Sequence, residues 1–314
     1  MRVGRRKMRG YGCYYHLYNR VNGFKSYRPF GNEEKEYAFN LIHDLSRYFL
    51  LEIISVCWMG NHCHIVLFAP GEAPDLEIVA KRHNDYYAER GDRLSPVSHA
   101  EHLTTIGKRM IDISFFMSQV QQRMSLMVNQ NSERHGPLWD GRFKSTILDG
   151  ERALWTCVKY LELNPVRAQL VDDPGTYRFS TWGRYCSSGT HPFGRNFVEH
   201  LRSCLGEVAS RWSAAEVYAE FRGELARSMA ADAGHDGDSA VAAKAAAKAG
   251  PGVTAMAELR MRYWIGGAII GSERFVREVA SHFASVEKVA DMKLGHLRDG
   301  PTQLFTFATP RTRS

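Results

Sequence analysis

The clearest pattern of hydrophobic and polar positions lies in two apolar runs, residues 51–58 and 65–68. They flank a short break, Met59-Gly60-Asn61, and a Gly-Asn pair is typical of a tight turn. The Val, Ile, Phe and Trp residues of these runs favour a buried pleated surface. The pattern therefore predicts a β-hairpin whose second strand begins at His62.

The same reading predicts elements on both sides of this hairpin. Aromatic, β-prone residues predict a strand over 11–21, and alternation predicts a further strand over 136–148. Apolar residues at helical spacing predict helices over 32–49, 103–130, 150–163, 198–229 and 254–285. The last of these is expected to break around Gly266-Gly267 and to restart with Ser272 as its N-cap. Pro165 is expected to end the third of these helices. The elements predicted after residue 188 are mainly helical.

Composition shifts suggest where the domains end. A turn-rich stretch after Val171 places the end of the first domain near residue 188, and the polar residues 70–102 are expected to form an exposed insertion within it. A helical extension over 189–229, a low-complexity linker over 230–252 and a small region of unknown role over 253–314 are expected to follow.

Charge and cysteine usage narrow the class of partner. The chain has 314 residues and a net charge of +7, and its first 30 residues contain eight Lys or Arg and no acid. This distribution favours an anionic partner such as nucleic acid. Six Cys without a C-x-x-C pair favour a reducing cytoplasm, and no apolar run approaches the length of a membrane span.

His62 and His64 lie two residues apart in the second hairpin strand. Side chains alternate along a strand, so both imidazoles share one face and can converge on a metal ion. The alternative is a pair of core or edge histidines that only form hydrogen bonds. A closed zinc site with Cys57 and Cys63 is disfavoured, because Cys63 should point to the other face.

Tyr160 and Asn164 lie four residues apart in the predicted helix over 150–163 and its last turn, in line with Ala153 and Cys157. Residues at this spacing are neighbours on a helix surface. The side chains on this face are therefore small, except for the phenol of Tyr160 and the amide of Asn164. Taken alone, Tyr160 is better explained as an ordinary core residue of an amphipathic helix.

Trp139, Arg142 and Lys144 combine one aromatic ring with two cations in the predicted strand over 136–148. Aromatic stacking with cation–phosphate contacts is typical of proteins that bind single-stranded nucleic acid. The alternative is a solvated edge strand whose Trp packs within the protein.

Segments of this chain together resemble the REP-associated tyrosine transposases, a branch of the single-tyrosine HUH transposases. The resemblance extends over about residues 10–185, and it rests on Tyr-His-Leu-Tyr-Asn-Arg at 15–20, Trp-Met-Gly-Asn-His-Cys-His-Ile-Val-Leu at 58–67, Trp-Asp-Gly-Arg-Phe-Lys-Ser at 139–145 and Lys-Tyr-Leu-Glu-Leu-Asn-Pro-Val-Arg-Ala at 159–168. The joint occurrence of these segments in this order is more specific than the His pair alone.

The resemblance implies an α+β protein, with a ferredoxin-like antiparallel sheet and helices packed on one face, followed in this chain by a mainly helical C-terminal extension. It also implies a divalent metal ion, Mg²⁺ or Mn²⁺, and cleavage and rejoining of single-stranded DNA near hairpin-forming repeats. By position, His62 and His64 take the roles of metal ligands, and Tyr160 is the nucleophile that forms a 5′-phosphotyrosine. Asn164 stands where relatives carry a third polar ligand, often Gln.

Contacts to the DNA backbone are expected from cations of the basic N-terminal arm and of the motifs, with base stacking by Trp139. These cations are Arg5, Arg6, Lys7, Arg20, Arg142, Lys144 and Arg167. Two alternatives remain open: a domesticated, non-catalytic binder of single-stranded or hairpin DNA, and a metal-dependent nucleic-acid hydrolase without a covalent intermediate. A monomer and a homodimer are both compatible with the sequence.

Overall fold

The computed structural model describes most of the chain in two compact units. The described residues are 7–8, 10–24, 26–91, 97–133, 135–235, 264, 269–284, 289, 291, 293–299 and 302–307. The N-terminal unit is Lys7–Phe143, and the C-terminal unit takes in the described residues from Lys144 onward. The predicted boundaries near residues 188, 229 and 252 stay predictions.

The N-terminal unit contains a three-stranded antiparallel sheet made of β1 (Cys13–Arg20), β2 (Glu52–Trp58) and β3 (His62–Ala69). Strand β3 pairs with both neighbours and is the central strand of the three. The predicted hairpin between β2 and β3 is confirmed. Its turn closes where the Met59 N–H donates to the His62 carbonyl at 2.9 Å.

Four helices complete the described part of this unit: α1 (Asn32–Tyr48), α2 (Leu76–Glu89), α3 (Ala100–Met110) and α4 (Ile113–Asn131). Helix α1 buries the apolar residues that recur at helical spacing, and it packs against β2 and α4. Helix α2 lies within the predicted insertion, and it packs against α3, which begins where the insertion ends.

The prediction of one helix over 103–130 is wrong, because the chain breaks between α3 and α4. Asp112 lies at the break, and its carboxylate accepts hydrogen bonds from the backbone N–H groups of Ser114 and Phe115. It also accepts from Lys7 Nζ at 2.7 Å. An N-cap of this kind satisfies donors that have no partner in the first helical turn, so it favours a new start over continuation.

The pKa of Asp112 reflects two opposing effects. Partial burial raises the pKa, but the hydrogen bond and charge of Lys7, with the N–H groups of Ser114 and Phe115, outweigh burial and hold the pKa below its ordinary value. The ionised cap is therefore the form that the fold favours.

The C-terminal unit has its own strands: β4 (Lys144–Leu148), β5 (Ile269–Gly271), β6 (Gly295–Asp299) and β7 (Thr302–Phe307). Their order is β4-β5-β7-β6, with β4 and β5 parallel and the other pairs antiparallel. The predicted strand over 136–148 is shorter than expected. A short strand, Ile269–Gly271, lies between the predicted break at Gly266-Gly267 and the predicted restart at Ser272.

The described helices of this unit are α5 (Arg152–Arg167), α6 (Thr181–Ser188), α7 (Asn196–Cys204), α8 (Ala214–His235) and α9 (Glu273–Ser281). Two 3₁₀ turns lie at Pro174–Thr176 and Glu207–Arg211. Ser272 caps α9 as predicted, since its side chain accepts from the Phe275 N–H. The predicted α+β class with a helical part after residue 188 is confirmed. Most of the predicted linker lies outside the described residues.

Helix α5 continues through Pro165 and ends at Arg167, so the prediction that Pro165 ends it is wrong. Proline removes one backbone donor and crowds the preceding turn, and a helix tolerates it without this cost only in its first turn. Pro165 lies in the last turn and is buried together with Leu161 and Leu163. Packing of this turn outweighs the local preference for a break. None of the described helices is long and apolar enough to cross a membrane.

Candidate metal and nucleophile sites

The predicted His pair lies on one polar face of the N-terminal sheet. In the register of β1 and β3, Arg20 is opposite His62 and Tyr18 is opposite His64. Opposed residues of an antiparallel pair point to the same face, so these four side chains lie together. The rings of His62 and His64 are 5.1 Å apart and nearly perpendicular. Two ring nitrogens at this spacing can bind one ion.

Asn61 orients the ring of His62. The Nδ1 atom of His62 lies 2.8 Å from the Asn61 side-chain oxygen, which can only accept a hydrogen bond. His62 therefore carries its proton on Nδ1, and its Nε2 lone pair is the one available to a ligand. This is the arrangement of metal-binding histidines, whose second nitrogen donates to an outer partner.

Both imidazoles of the pair are held neutral. Burial, with the charges of Arg20 and Arg28, lowers the pKa of His62 to about 3. Burial, with His16 and His62 nearby, lowers the pKa of His64 well below its ordinary value. A histidine must be neutral to bind a metal ion, so this environment provides the required protonation state at neutral pH.

Arg28 contributes positive charge beside the His pair because Gly60 lets it approach. A Cβ atom on Gly60 would lie 2.6 Å from Cδ of Arg28, so a larger residue in the turn would displace this side chain. Arg20 on β1 is the second guanidinium near His62. Two guanidinium groups beside two neutral imidazoles form a surface suited to an anion such as a phosphodiester.

The donor set of this face fits part of a divalent metal site. No group of three or more His, Cys, Asp and Glu side chains that could hold a metal ion occurs among the described residues. His62 and His64 supply two nitrogen ligands, whereas Mg²⁺ and Mn²⁺ prefer oxygen and retain several waters. The face therefore fits an open, weakly held ion whose other positions are left for oxygen ligands.

Tyr160 and Asn164 lie on one buried face of α5 in the C-terminal unit. The predicted alignment with Ala153 and Cys157 holds, because the side chains of all four residues are buried. Asn164 Nδ2 is buried, and it makes no hydrogen bond within the part of the chain that the structure describes. This atom is a hydrogen-bond donor and cannot bind a cation, so the role of Asn164 as a metal ligand, which its side-chain oxygen would fill, stays a prediction.

The ring of Tyr160 is covered on two sides and is only 5% exposed. Trp264 stacks on it with ring centroids 5.9 Å apart and planes inclined at 23°. The guanidinium of Arg167 lies 5.8 Å from the ring centroid. A reaction at the Tyr160 hydroxyl therefore requires movement of one of these covers or of α5.

Two ion pairs join α5 to α8. Lys159 Nζ lies 3.0 Å from a Glu224 carboxylate oxygen, and Arg167 Nε lies 3.1 Å from one of Asp232. Lys159 is the more buried cation, with a side-chain exposure of 10%. These pairs bracket Tyr160 and Pro165 along the helix. Arg167, predicted to contact DNA, is thus engaged by Asp232 in this structure.

The other predicted DNA-contact residues differ in their surroundings. Arg142 and Lys144 are exposed, as a phosphate contact requires, and Arg20 is half-buried beside His62. Lys7 forms an ion pair with Asp112 and can contact phosphate only by releasing it. Arg5 and Arg6 lie outside the described residues. The roles of these side chains in DNA binding stay predictions.

Trp139 is packed within the N-terminal unit. Its ring is 8% exposed, its indole N–H donates to the Gln121 carbonyl at 3.0 Å, and it contacts the rings of Phe30 and Trp58. This packing matches the alternative to nucleic-acid binding for Trp139, in which the ring packs within the protein. Base stacking by Trp139 stays a prediction, and it would require release of this ring.

Three residues of the polar face were not singled out from the sequence: His16, Asn61 and Arg28. The alternation of β1 places His16 on the same strand face as Tyr18 and Arg20, but the sequence does not give the register with β3. Asn61 was interpreted only as a turn residue. Its second role depends on the side-chain contact with His62.

Comparison with known proteins gives little independent evidence. The sequence matches no family profile and no curated protein. Among solved structures, the chain is similar to a REP-associated tyrosine transposase bound to a REP hairpin, with a TM-score of 0.39 and 14% identity. The match covers 61% of this chain and 90% of that one. A likeness this small assigns neither a family nor an activity.

Proposed function

We propose that the protein is a metal-dependent endonuclease and strand transferase of the transposase type. It would act on single-stranded DNA near hairpin-forming repeats, through a 5′-phosphotyrosine at Tyr160. One observation carries this proposal: His62 and His64 share one polar face of the sheet, with Arg20 and Arg28 beside them. Neutral imidazoles next to guanidinium groups suit a metal-bound phosphodiester.

In this proposal the side chains have separate roles. Arg20 and Arg28 bind the phosphate, and His62, His64 and Asn164 would hold Mg²⁺ or Mn²⁺. The ion, when bound, supplies Lewis-acid stabilisation of the charge that develops on a phosphate oxygen. The Tyr160 oxygen bonds to phosphorus as the bond from phosphorus to the 3′ oxygen breaks, and the proton that the phenol loses is balanced by the proton that the 3′ oxygen gains to become a 3′-OH. Because the phosphotyrosine retains the ester, a second 3′-OH can reverse the step and join strands.

The burial of Tyr160 favours a second candidate, a non-catalytic binder of hairpin DNA. Trp264 and Arg167 both cover the ring, and an unreactive tyrosine would need no exposure. Such a protein would keep the cationic surface and would not depend on the Tyr160 hydroxyl.

A covalent-adduct assay distinguishes these candidates. The full chain is incubated with labelled hairpin DNA and Mn²⁺ and examined on a denaturing gel, where Tyr160→Phe and His64→Ala should each abolish the adduct. Tyr177→Phe is the matched control, because Tyr177 is a similarly buried ring of the same unit at 6% exposure. Binding without cleavage would establish the non-catalytic binder. Cleavage without an adduct would establish a hydrolase.

A further inference from the structure

We propose that His16 is a positioning residue that fixes the ring of His64, and the nitrogen on which His64 carries its proton, for metal binding. This inference rests on the proposed metal role of His64. Nε2 of His16 lies 2.9 Å from Nδ1 of His64, and the two ring planes differ by only 7°. Both side chains are 0% exposed. The contact joins β1 to the central strand β3.

A buried imidazole at position 16 requires an explanation. Burial of a polar group costs free energy unless it is hydrogen-bonded, and His16 is opposite Val66 in a largely apolar sheet interior. An apolar residue of similar size would pack there without that cost. The contact with His64 satisfies a nitrogen of each ring, so His16 matters for the state of His64.

The hydrogen bond between the rings can have only one donor. If His16 donates, His64 carries its proton on Nε2 and cannot use that nitrogen as a ligand. If His64 donates from Nδ1, its Nε2 has a lone pair for the ion. We assign the second arrangement, because His16 engages Nδ1 of His64 and the proposed metal role therefore needs the lone pair of Nε2. Both histidines then offer Nε2, each held by an outer partner.

Removal of the outer partner should weaken metal binding without removing a ligand. Outer hydrogen-bond partners of metal-binding histidines typically affect metal affinity about 10- to 100-fold. In His16→Leu, Nδ1 of His64 loses its acceptor, and the ring can adopt either tautomer. In His16→Gln, the amide oxygen can still accept from Nδ1. The two variants therefore separate the hydrogen bond from simple filling of space.

The test measures Mn²⁺ binding to the full chain by titration calorimetry, without DNA. We expect His16→Leu to bind about 10- to 100-fold more weakly and His16→Gln to stay within about threefold of wild type. His191→Leu is the matched control, since it replaces a buried histidine of the other unit by the same residue. It should leave Mn²⁺ affinity unchanged.

Nitrogen-15 NMR of the unsubstituted protein gives a readout that does not depend on how the variants fold. The His64 signals, assigned with His64→Gln, should show a protonated Nδ1 and an unprotonated Nε2. A proton on Nε2 of His64, or wild-type Mn²⁺ affinity in His16→Leu, would overturn the inference. Metal binding with the expected tautomer but without a DNA adduct would refute the proposed chemistry and leave the role of His16 intact.

Discussion

Replacement of Trp264 by alanine is expected to loosen the helix that carries Tyr160. The Trp264 side chain is 3% exposed and stacks on Tyr160, and its backbone carbonyl accepts from Thr146 Oγ1 at 2.8 Å. Truncation of a buried tryptophan to alanine typically costs about 3–5 kcal/mol. The substitution leaves the carbonyl contact in place, so the loss should come from the ring.

Cys157 reports on this loss because it lies on α5, three residues before Tyr160. Its thiol is fully buried, and burial raises its pKa well above the ordinary value. It should therefore react with a thiol reagent only when this part of the unit opens. Every 1.4 kcal/mol is a tenfold change in an equilibrium, so Trp264→Ala should speed labelling of Cys157 by roughly 150- to 5,000-fold. Peptide mass spectrometry identifies the labelled cysteine.

Two controls make the result interpretable. Trp264→Phe keeps a ring over Tyr160 and should speed labelling much less than Trp264→Ala does. Trp212→Ala removes a half-exposed tryptophan of the same unit and should change the rate little. Acceleration of less than about tenfold in Trp264→Ala would mean that the ring contributes under about 1.4 kcal/mol, which would refute the view that the stack holds α5 in place.

Three further predictions concern pH and salt. The depressed pKa of Asp112 makes a stabilising contribution that is present above its unfolded-state pKa of about 3.9 and is lost as pH falls. In urea unfolding, Asp112→Asn should therefore be less stable than wild type at pH 7, and its stability should change less between pH 5 and pH 3. Burial lowers the pKa of His191 to about 3. Below about pH 6.5, His191 therefore binds a proton in the unfolded chain but not in the folded chain. Stability should fall from pH 6.5 towards 3, and His191→Leu should lessen that slope; an unchanged slope would contradict the burial of His191. Arg142→Ala should weaken single-strand binding and flatten its salt dependence, and an equal salt slope would remove Arg142 from the phosphate contacts.

Local signals predicted the elements whose cause is local. The hairpin between β2 and β3 follows from Gly60-Asn61 between two apolar runs, and the start of α9 follows from the cap at Ser272. The shared face of His62 and His64 is equally local, since it requires only that β3 be a strand. These features could be predicted because neighbouring residues fix them.

Features that depend on distant partners could not be predicted. Helix α5 passes Pro165 because its last turn is buried, and burial is decided by elements far along the chain. Asp112 divides two helices with help from Lys7, which lies 105 residues away in the sequence. The contact between His16 and His64 depends on a strand register that the sequence leaves open.

The ion pairs between α5 and α8 make the helix that carries Tyr160 depend on a segment more than 50 residues further along the chain. Lys159 with Glu224 and Arg167 with Asp232 have the same sequence separation of 65, so the two helices run in the same direction in fixed register. The contacts are eight residues, or about 12 Å, apart and bridge the backbone bond that Pro165 lacks. Helix α8 thus holds α5 in register, because a slide of one turn between the two helices would break both ion pairs together. A protein shortened to end before Ala214 would leave two largely buried cations without their carboxylates, beside the residue proposed to do the chemistry.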